Sequence, residues 1–341
     1  MISPAALSLR PSFPPLSNAR QSRLRSPSFV IQALKGGRRD EDDYHSTLKA
    51  LNSRGRIVPR KSLGQHYMLN SSINDQLSSI AGVVEGDVVL EIGPGTGSLT
   101  NVLINAGATV IAIEKDPRMA LMVKERFGCS DQLTVLQEDI TRCHIRSHVS
   151  AFLERFDTKE LKYAKVVSNI PFNISTDVVK QLLPMGDLFS EVIILLQDEA
   201  ALRLAGFQLH SSEYRPINLF VNFYSDAEYI CKVERTNFFP QPNVDAAIVK
   251  FKLKRKSEYP QVASKNGFFS MVNSAFNGKR KMLRKSLQHI CSAPKIEDAL
   301  RAVGLQETAR PQELTLEEFV RLYNLLSKTD QSIPESVIQI Q

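Results

Sequence analysis

Read for the spacing of its apolar residues, the chain changes period along its length. Between Val88 and Gln197, short apolar runs alternate with longer mixed segments. Val88–Ile92, Thr109–Glu114, Leu133–Leu136, Lys165–Ser168 and Val192–Gln197 are brief and rich in Val, Ile and Leu. That is the composition of strands covered on both faces of a largely parallel sheet. Ser98–Ala106 and Pro117–Phe127, between them, have helical length. The alternation predicts an α/β fold built on a doubly wound sheet. Beyond Leu219, Phe220–Tyr224, Tyr229–Val233 and Ala246–Leu253 read as further strands, the last two separated by the proline-bearing loop Phe238-Phe239-Pro240-Gln241-Pro242. Lys254–Pro260 is charged, ends in proline and reads as a linker. After it, Phe268, Phe269, Val272 and Phe276, and later Leu316, Phe319, Val320 and Tyr323, recur at helical spacing. A small, all-helical C-terminal domain is expected over 257–329, following a catalytic-size domain over 40–256 and preceding a loose tail, 330–341.

Composition changes the picture mainly at the N-terminus. The chain of 341 residues is 43% hydrophobic and 23% charged, with no apolar run near the length of a membrane span, so no membrane partner is expected. Its net charge of +7 is not spread evenly. Residues 1–39 carry Arg10, Arg20, Arg23, Arg25, Lys35, Arg38 and Arg39 and no acid, which accounts for the whole excess. From Asp40 onward the charges balance, and only local basic clusters can speak for a nucleic-acid partner. The first segment, rich in Ser, Pro and Arg, reads as an organellar transit peptide. Its uncharged opening, its prolines and Val30-Ile31-Gln32-Ala33 favour a plastid (chloroplast stroma) over a mitochondrion. Four scattered cysteines without a C-x-x-C pair fit a reducing compartment.

Candidate chemistry starts where the first strand ends. Glu91 is followed by Gly93-x-Gly95-x-Gly97, a turn that lets a ligand approach the backbone without Cβ interference. A dinucleotide fingerprint would place glycine at 98, where Ser98 stands, so a nucleoside without pyrophosphate is favoured. Glu114 closes the second strand, where a carboxylate can accept both ribose hydroxyls. Asp139 follows the third and can accept from an adenine amine. Three acids at successive strand ends suit S-adenosylmethionine.

After the fourth strand comes Asn169-Ile170-Pro171-Phe172. An aromatic amine is a weak nucleophile because its lone pair is delocalised into the ring. The Asn169 side-chain oxygen and the Ile170 carbonyl can accept its two N–H protons and draw the nitrogen toward tetrahedral geometry. Pro171 biases Ile170 toward an extended conformation, and Phe172 offers a stacking face. Extracting a base from its helix costs a few kcal/mol, and one stacked ring returns about 1–3 kcal/mol. A second wall is therefore expected, from Phe238 or its neighbour Phe239.

In series, these motifs resemble the ribosomal RNA adenine dimethyltransferase family, which modifies two adjacent adenosines near the 3′ end of small-subunit rRNA. The resemblance runs from about Arg60 to Leu326. It opens with Lys61-Ser62-Leu63-Gly64-Gln65-His66-Tyr67-Met68 and continues through Glu91–Gly97, Asn169–Ser175 and Leu196-Gln197-Asp198-Glu199. Phe238–Asp245 and the basic Arg280-Lys281-Met282-Leu283-Arg284 complete it. It implies a Rossmann-like S-adenosylmethionine-dependent methyltransferase domain with a helical RNA-binding domain. It also implies that His66, Met68, Gly93, Glu114, Asp139 and Asn169 line the cofactor site, and that Asn169, Ile170, Pro171 and Phe172 present the target amine opposite Phe238. The implied product is N6,N6-dimethyladenosine and the implied partner is small-subunit rRNA within an immature small ribosomal subunit, bound by a monomer. His66 stands where bacterial members often have Asn, Phe172 where many have Tyr, Asn70 for a frequent Asp, and Tyr214-Arg215-Pro216 for a Tyr-Gly pair.

Three basic clusters fit an RNA partner: Arg54, Arg56, Arg60 and Lys61; Lys250, Lys252, Lys254, Arg255 and Lys256; and Lys279, Arg280, Lys281, Arg284 and Lys285. Cys143, His144 and His148 have the spacing of metal ligands, but no fourth ligand stands nearby and no metal is expected. Two alternatives share the motifs: a methyltransferase of large-subunit rRNA, and a ribosome-assembly or organellar transcription factor that keeps the fold without catalysis. The second should lose the Asn or the stacking aromatic, and both are present.

Overall fold

The computed structural model describes residues 59–154, 163–206, 209, 211, 213–278 and 281–329. The transit-peptide reading of 1–39, the basic Arg54, Arg56, Lys279 and Arg280, and the tail 330–341 lie outside the described residues. No helix among the described residues is long and apolar enough to cross a membrane.

The chain opens with a two-residue strand, β1 (Tyr67–Met68), and helix α1 (Ser71–Ile80), capped by Asn70, whose side chain accepts the Ser72 N–H. Strand and helix then alternate as β2 (Val88–Ile92), α2 (Ser98–Asn105), β3 (Thr109–Ile113), α3 (Pro117–Phe127), β4 (Leu133–Leu136), α4 (Ile145–Leu153), β5 (Ala164–Asn169), α5 (Ser175–Leu182) and β6 (Phe189–Gln197). There follow α6 (Asp198–Ala205), α7 (Pro216–Tyr224), β7 (Ser225–Val233), β8 (Phe238–Phe239) and β9 (Ala246–Leu253). Helices α8 (Lys265–Phe276), α9 (Leu283–Ser286), α10 (Ala293–Val303) and α11 (Leu316–Thr329) close the described chain.

Seven strands form one sheet in the order β4-β3-β2-β5-β6-β9-β7. The first five in that order pair in parallel, while β9 runs antiparallel to both β6 and β7. From β2 the chain winds outward through β3 and β4, then crosses back to β5 on the other side. The crevice beyond the carboxyl ends of β2 and β5 is thus the topological switch point, where open α/β sheets bind ligands. The outer pair β1 and β8 forms a separate antiparallel ribbon, Tyr67 opposite Phe239 and Met68 opposite Phe238.

The pleat sends alternate side chains to opposite faces. Val89, Val110, Ala112, Val167 and Ile193 face the core shared with α1 and α2. Leu90, Ile111, Val166 and Ile194 face a second core, which runs without a break through Phe223 and Tyr259 into Phe268, Val272, Leu300 and Phe319 of the C-terminal helices.

One predicted strand is a helix. Phe220–Tyr224 forms the last turns of α7, because Pro216 fixes its first turn and Asn218, fully buried, accepts the Arg215 N–H at 2.8 Å. A five-residue apolar run does not distinguish a strand from a buried helix turn. Here the rings settle it: Phe223 lies 5.6 Å from Phe268 and 5.8 Å from Tyr259, and Phe220 lies 5.3 Å from Phe269. The Lys254–Pro260 segment is fastened at both ends: Lys254 donates to the Asn222 carbonyl, Arg255 donates to that of Gly186, and Tyr259 is buried.

Candidate active site

The glycine turn after β2 builds the floor. Gly93 has φ +70°, and a Cβ there would stand 3.8 Å from Pro171 Cδ and 3.9 Å from the Asn169 carbonyl oxygen. It would fill the space between the two halves of the site. Gly95, at φ +55°, lies under the Tyr67 ring, 3.1 Å from where its Cβ would be. The loop is therefore glycine for reasons of approach as well as of backbone conformation.

Three acids line this floor in different states. Glu91 is 1% exposed and accepts the Thr100 hydroxyl at 2.6 Å. Burial pushes its carboxyl up to about 8, against the opposing pull of Thr100. Glu114 is also buried, which raises its carboxyl, and it accepts N–H groups from Asp116 at 2.8 Å and Gly95 at 3.4 Å. Those two bonds aim it into the crevice. Asp139 takes the Thr141 N–H and hydroxyl at 3.0 and 2.8 Å and pairs with Lys115 at 2.8 Å. Lys115 holds it down at about 2, so it is a charged acceptor at neutral pH.

The target half sits across the crevice. Asn169 ends β5, Pro171 has φ −57°, and Phe172 opens a short 3-10 turn locked by the Ser175 hydroxyl donating to the Phe172 carbonyl at 2.9 Å. No described residue hydrogen-bonds the Asn169 side chain or the Ile170 carbonyl. Both residues line the cavity.

His66, Met68, Gly93, Glu114, Asp139, Asn169, Ile170, Pro171 and Phe172 all line this single cavity. Phe238 does not. It is 2% exposed and packs in the core, opposite Met68 in the β1–β8 pair, a residue that itself borders the cavity. The residue expected to form the second stacking wall is thus placed next to the cavity and not in its lining. Its neighbour Phe239 is 40% exposed. The ring that does meet Phe172 is His66, stacked at 5.9 Å and 26°. His66 Nδ1 lies 2.7 Å from the Pro240 carbonyl. Since a carbonyl can only accept, that nitrogen carries the proton.

Sequence reasoning missed several supports. Asp116, wholly buried, accepts from Gln65 at 3.1 Å and Arg118 at 2.8 Å, tying the opening segment to the Glu114 loop. Arg118 holds its carboxyl at about 2. Asp116 before Pro117 is a helix-start signal, which locates it but not Gln65. Asn74 of α1 also lines the cavity, its Oδ1 buried with no partner among the described residues. The metal-like spacing resolves differently from expectation: Cys143 and His148 converge with Glu138, while His144 stands before α4.

The second basic cluster is largely engaged within the chain: Lys250 pairs with Glu191, Lys254 with Asp226 and Lys256 with Asp187, and Arg255 caps the Tyr163 ring. In the third, Arg284 pairs with Glu297.

Comparison with known proteins extends this picture. The family model described as "Ribosomal RNA adenine dimethylase" matches residues 58–328. The "Ribosomal RNA small subunit methyltransferase, chloroplastic" of Arabidopsis thaliana is 67% identical over 294 residues, covering 86% of this chain and 85% of that protein. "Ribosomal RNA small subunit methyltransferase A" of Protochlamydia amoebophila is 36% identical over 280 residues, 82% of this chain and 95% of its own. Among solved structures, a dimethyladenosine transferase from Plasmodium falciparum superposes with a TM-score of 0.62 at 25% identity, covering 76% of this chain and 96% of that one.

Proposed function

The chain belongs to the ribosomal RNA adenine dimethylase family, and from that premise we propose that it methylates small-subunit rRNA with S-adenosylmethionine as donor. The targets are the N6 amines of two adjacent adenosines near the 3′ end, the product is N6,N6-dimethyladenosine, and the setting is ribosome biogenesis in the plastid. The chloroplastic relative supports that location.

One observation carries the reading. Asn169 and Ile170, whose side-chain oxygen and carbonyl have no partner among the described residues, line the same cavity as Gly93, Glu114 and Asp139. S-adenosylmethionine supplies a methyl group on a positively charged sulfur. Glu114, already aimed by two N–H groups, suits the ribose hydroxyls; Asp139, ionised, suits the adenine amine. Gly93 leaves room for the donor to meet Asn169. On the opposite side Asn169 and Ile170 hold the target nitrogen by its protons, and Phe172 supports its ring. Rate enhancement comes from holding the two reactants in line. The helices from α8 to α11 supply the RNA-binding domain in this reading, and the chain acts as a monomer.

The test is mass spectrometry of nucleosides from unmodified small-subunit particles incubated with the protein and S-adenosylmethionine. Dimethyladenosine with the intact chain, and none with Asn169→Ala, is the expected result. Tight particle binding with no methyl mark would instead identify an assembly or transcription factor. The pocket also sets an order of rates. A free amine offers a proton to each acceptor, a monomethylated one offers only one, so the second transfer is slower. Equal rates in single-turnover kinetics would remove that mechanism.

A further inference from the structure

Outside the crevice, one side-chain cluster joins three different donor atoms. The loop after β4 carries Glu138 and then Asp139, whose bonds to Thr141 fold the backbone into a tight turn. Past that turn Cys143 is buried, and its carbonyl accepts the Gln181 side-chain N–H at 3.3 Å. One helical turn further on, His148 projects from α4, its Nε2 lying 3.1 Å from a Glu138 carboxylate oxygen. A sulfur, an imidazole nitrogen and a carboxylate oxygen thus lie within 4.8 Å of one another.

We propose that Glu138, Cys143 and His148 form a binding site for a thiophilic divalent cation, zinc above all. The donor set makes the choice. Calcium and magnesium take oxygen ligands, whereas zinc accepts sulfur, nitrogen and carboxylate oxygen together, at about 2.0–2.3 Å. Bonds of that length in a tetrahedron put ligand atoms about 3.3–3.8 Å apart, so a small inward movement closes the site. Three protein ligands leave a fourth position for water. The side chains of Glu138 and His148 are 39% and 31% exposed, giving an entry path from solvent to the buried sulfur. Binding replaces the thiol proton, which leaves to water, with a metal–sulfur bond.

The position gives the site a role. Glu138 and Asp139 both line the main cavity, so a cation clamping Glu138 to α4 would fix the loop that presents Asp139. Without a cation, His148 Nε2 and the Glu138 carboxylate lie in direct contact over a buried thiol. Cation occupancy can be measured alone, without methyl transfer as the readout.

The test uses the full chain without an affinity tag, stripped of metal, incubated with zinc and passed through gel filtration. One zinc per chain by elemental analysis is expected, together with a thiolate-to-metal absorption band when cobalt(II) replaces zinc. Cys143→Ser should abolish retention. His148→Gln, on the exposed side where folding is least disturbed, should also abolish it, with an unchanged circular dichroism spectrum. Cys129→Ser, at an exposed cysteine away from the cluster, should retain the full equivalent. No zinc retained by the intact chain, or retention unchanged in both Cys143→Ser and His148→Gln, would overturn the proposal.

Discussion

The two halves of the crevice are finished to different degrees. On the side of Glu91, Glu114 and Asp139, each acid is already held by the chain: by Thr100, by the N–H groups of Gly95 and Asp116, or by Lys115 and Thr141. On the side of Asn169 and Ile170 the acceptors have no described partner. The difference teaches where each half's order comes from. A small cofactor has little binding energy to spend on arranging its site, so the site is arranged beforehand. An RNA brings many contacts and can complete a half-built pocket on arrival.

The largest effect tests the boundary between pocket and core. Phe238→Ala should lower stability by about 3–5 kcal/mol, the cost of emptying a buried aromatic position, as read in denaturant melts. A variant that melts like the parent yet loses activity would return Phe238 to the pocket wall. Next, Asn169→Ala should lower kcat by about 10²–10³-fold, as for loss of a positioned polar group in other enzymes, while cofactor affinity changes far less. An equal loss in both would erase the division into halves. On the other side, Glu114→Gln should weaken cofactor binding by about 1.5–3 kcal/mol, the worth of hydrogen bonds to a charged group. Calorimetry with the cofactor alone reads it, with no RNA present.

The last prediction is a slope. Glu91 has its carboxyl raised from 4.5 to about 8 by burial. Below pH 4.5 the folded and unfolded chains both hold its proton. Between there and about pH 8 the unfolded chain ionises and the folded one does not, so stability falls across that window and levels off above it. Glu91→Gln should flatten this decline in thermal melts taken across it. A parent chain whose stability rises from pH 5 to 8 would show that Glu91 is ionised in the fold.

Much of this was legible in the sequence where the signal was local. Val88–Ile92, Leu133–Leu136 and Ala246–Leu253 have the predicted bounds, because short runs of branched apolar residues announce themselves. Nine of the ten named site residues share one cavity: Gly93, Glu114, Asp139 and Asn169–Phe172 stand at or after strand ends that the alternating pattern located, whereas His66 and Met68 came only from the family resemblance. What escaped was non-local. The strand Tyr67–Met68 is two residues long and exists only because Phe238–Phe239 pairs with it, so no period betrays it. The burial of Phe238 was hidden for the same reason: its direction depends on that register. Phe220–Tyr224 was misread because a ring cluster with Phe268 and Phe269, distant in sequence, decides its conformation. Glu138 joined Cys143 and His148 only once the loop was folded.

The ribbon between Tyr67–Met68 and Phe238–Phe239 also sets a timetable. One wall of the crevice is written near the start of the described chain and its fastener far downstream, with almost the whole sheet encoded between them. A ribosome releases the first half long before the second, and closing so long a loop adds an entropic cost that grows with its length. The parallel strands can assemble while the wall still hangs open. Maturity, for this protein, arrives with the late residues that let His66 reach Pro240, and a nascent chain cut short of them would own a sheet but not yet a pocket.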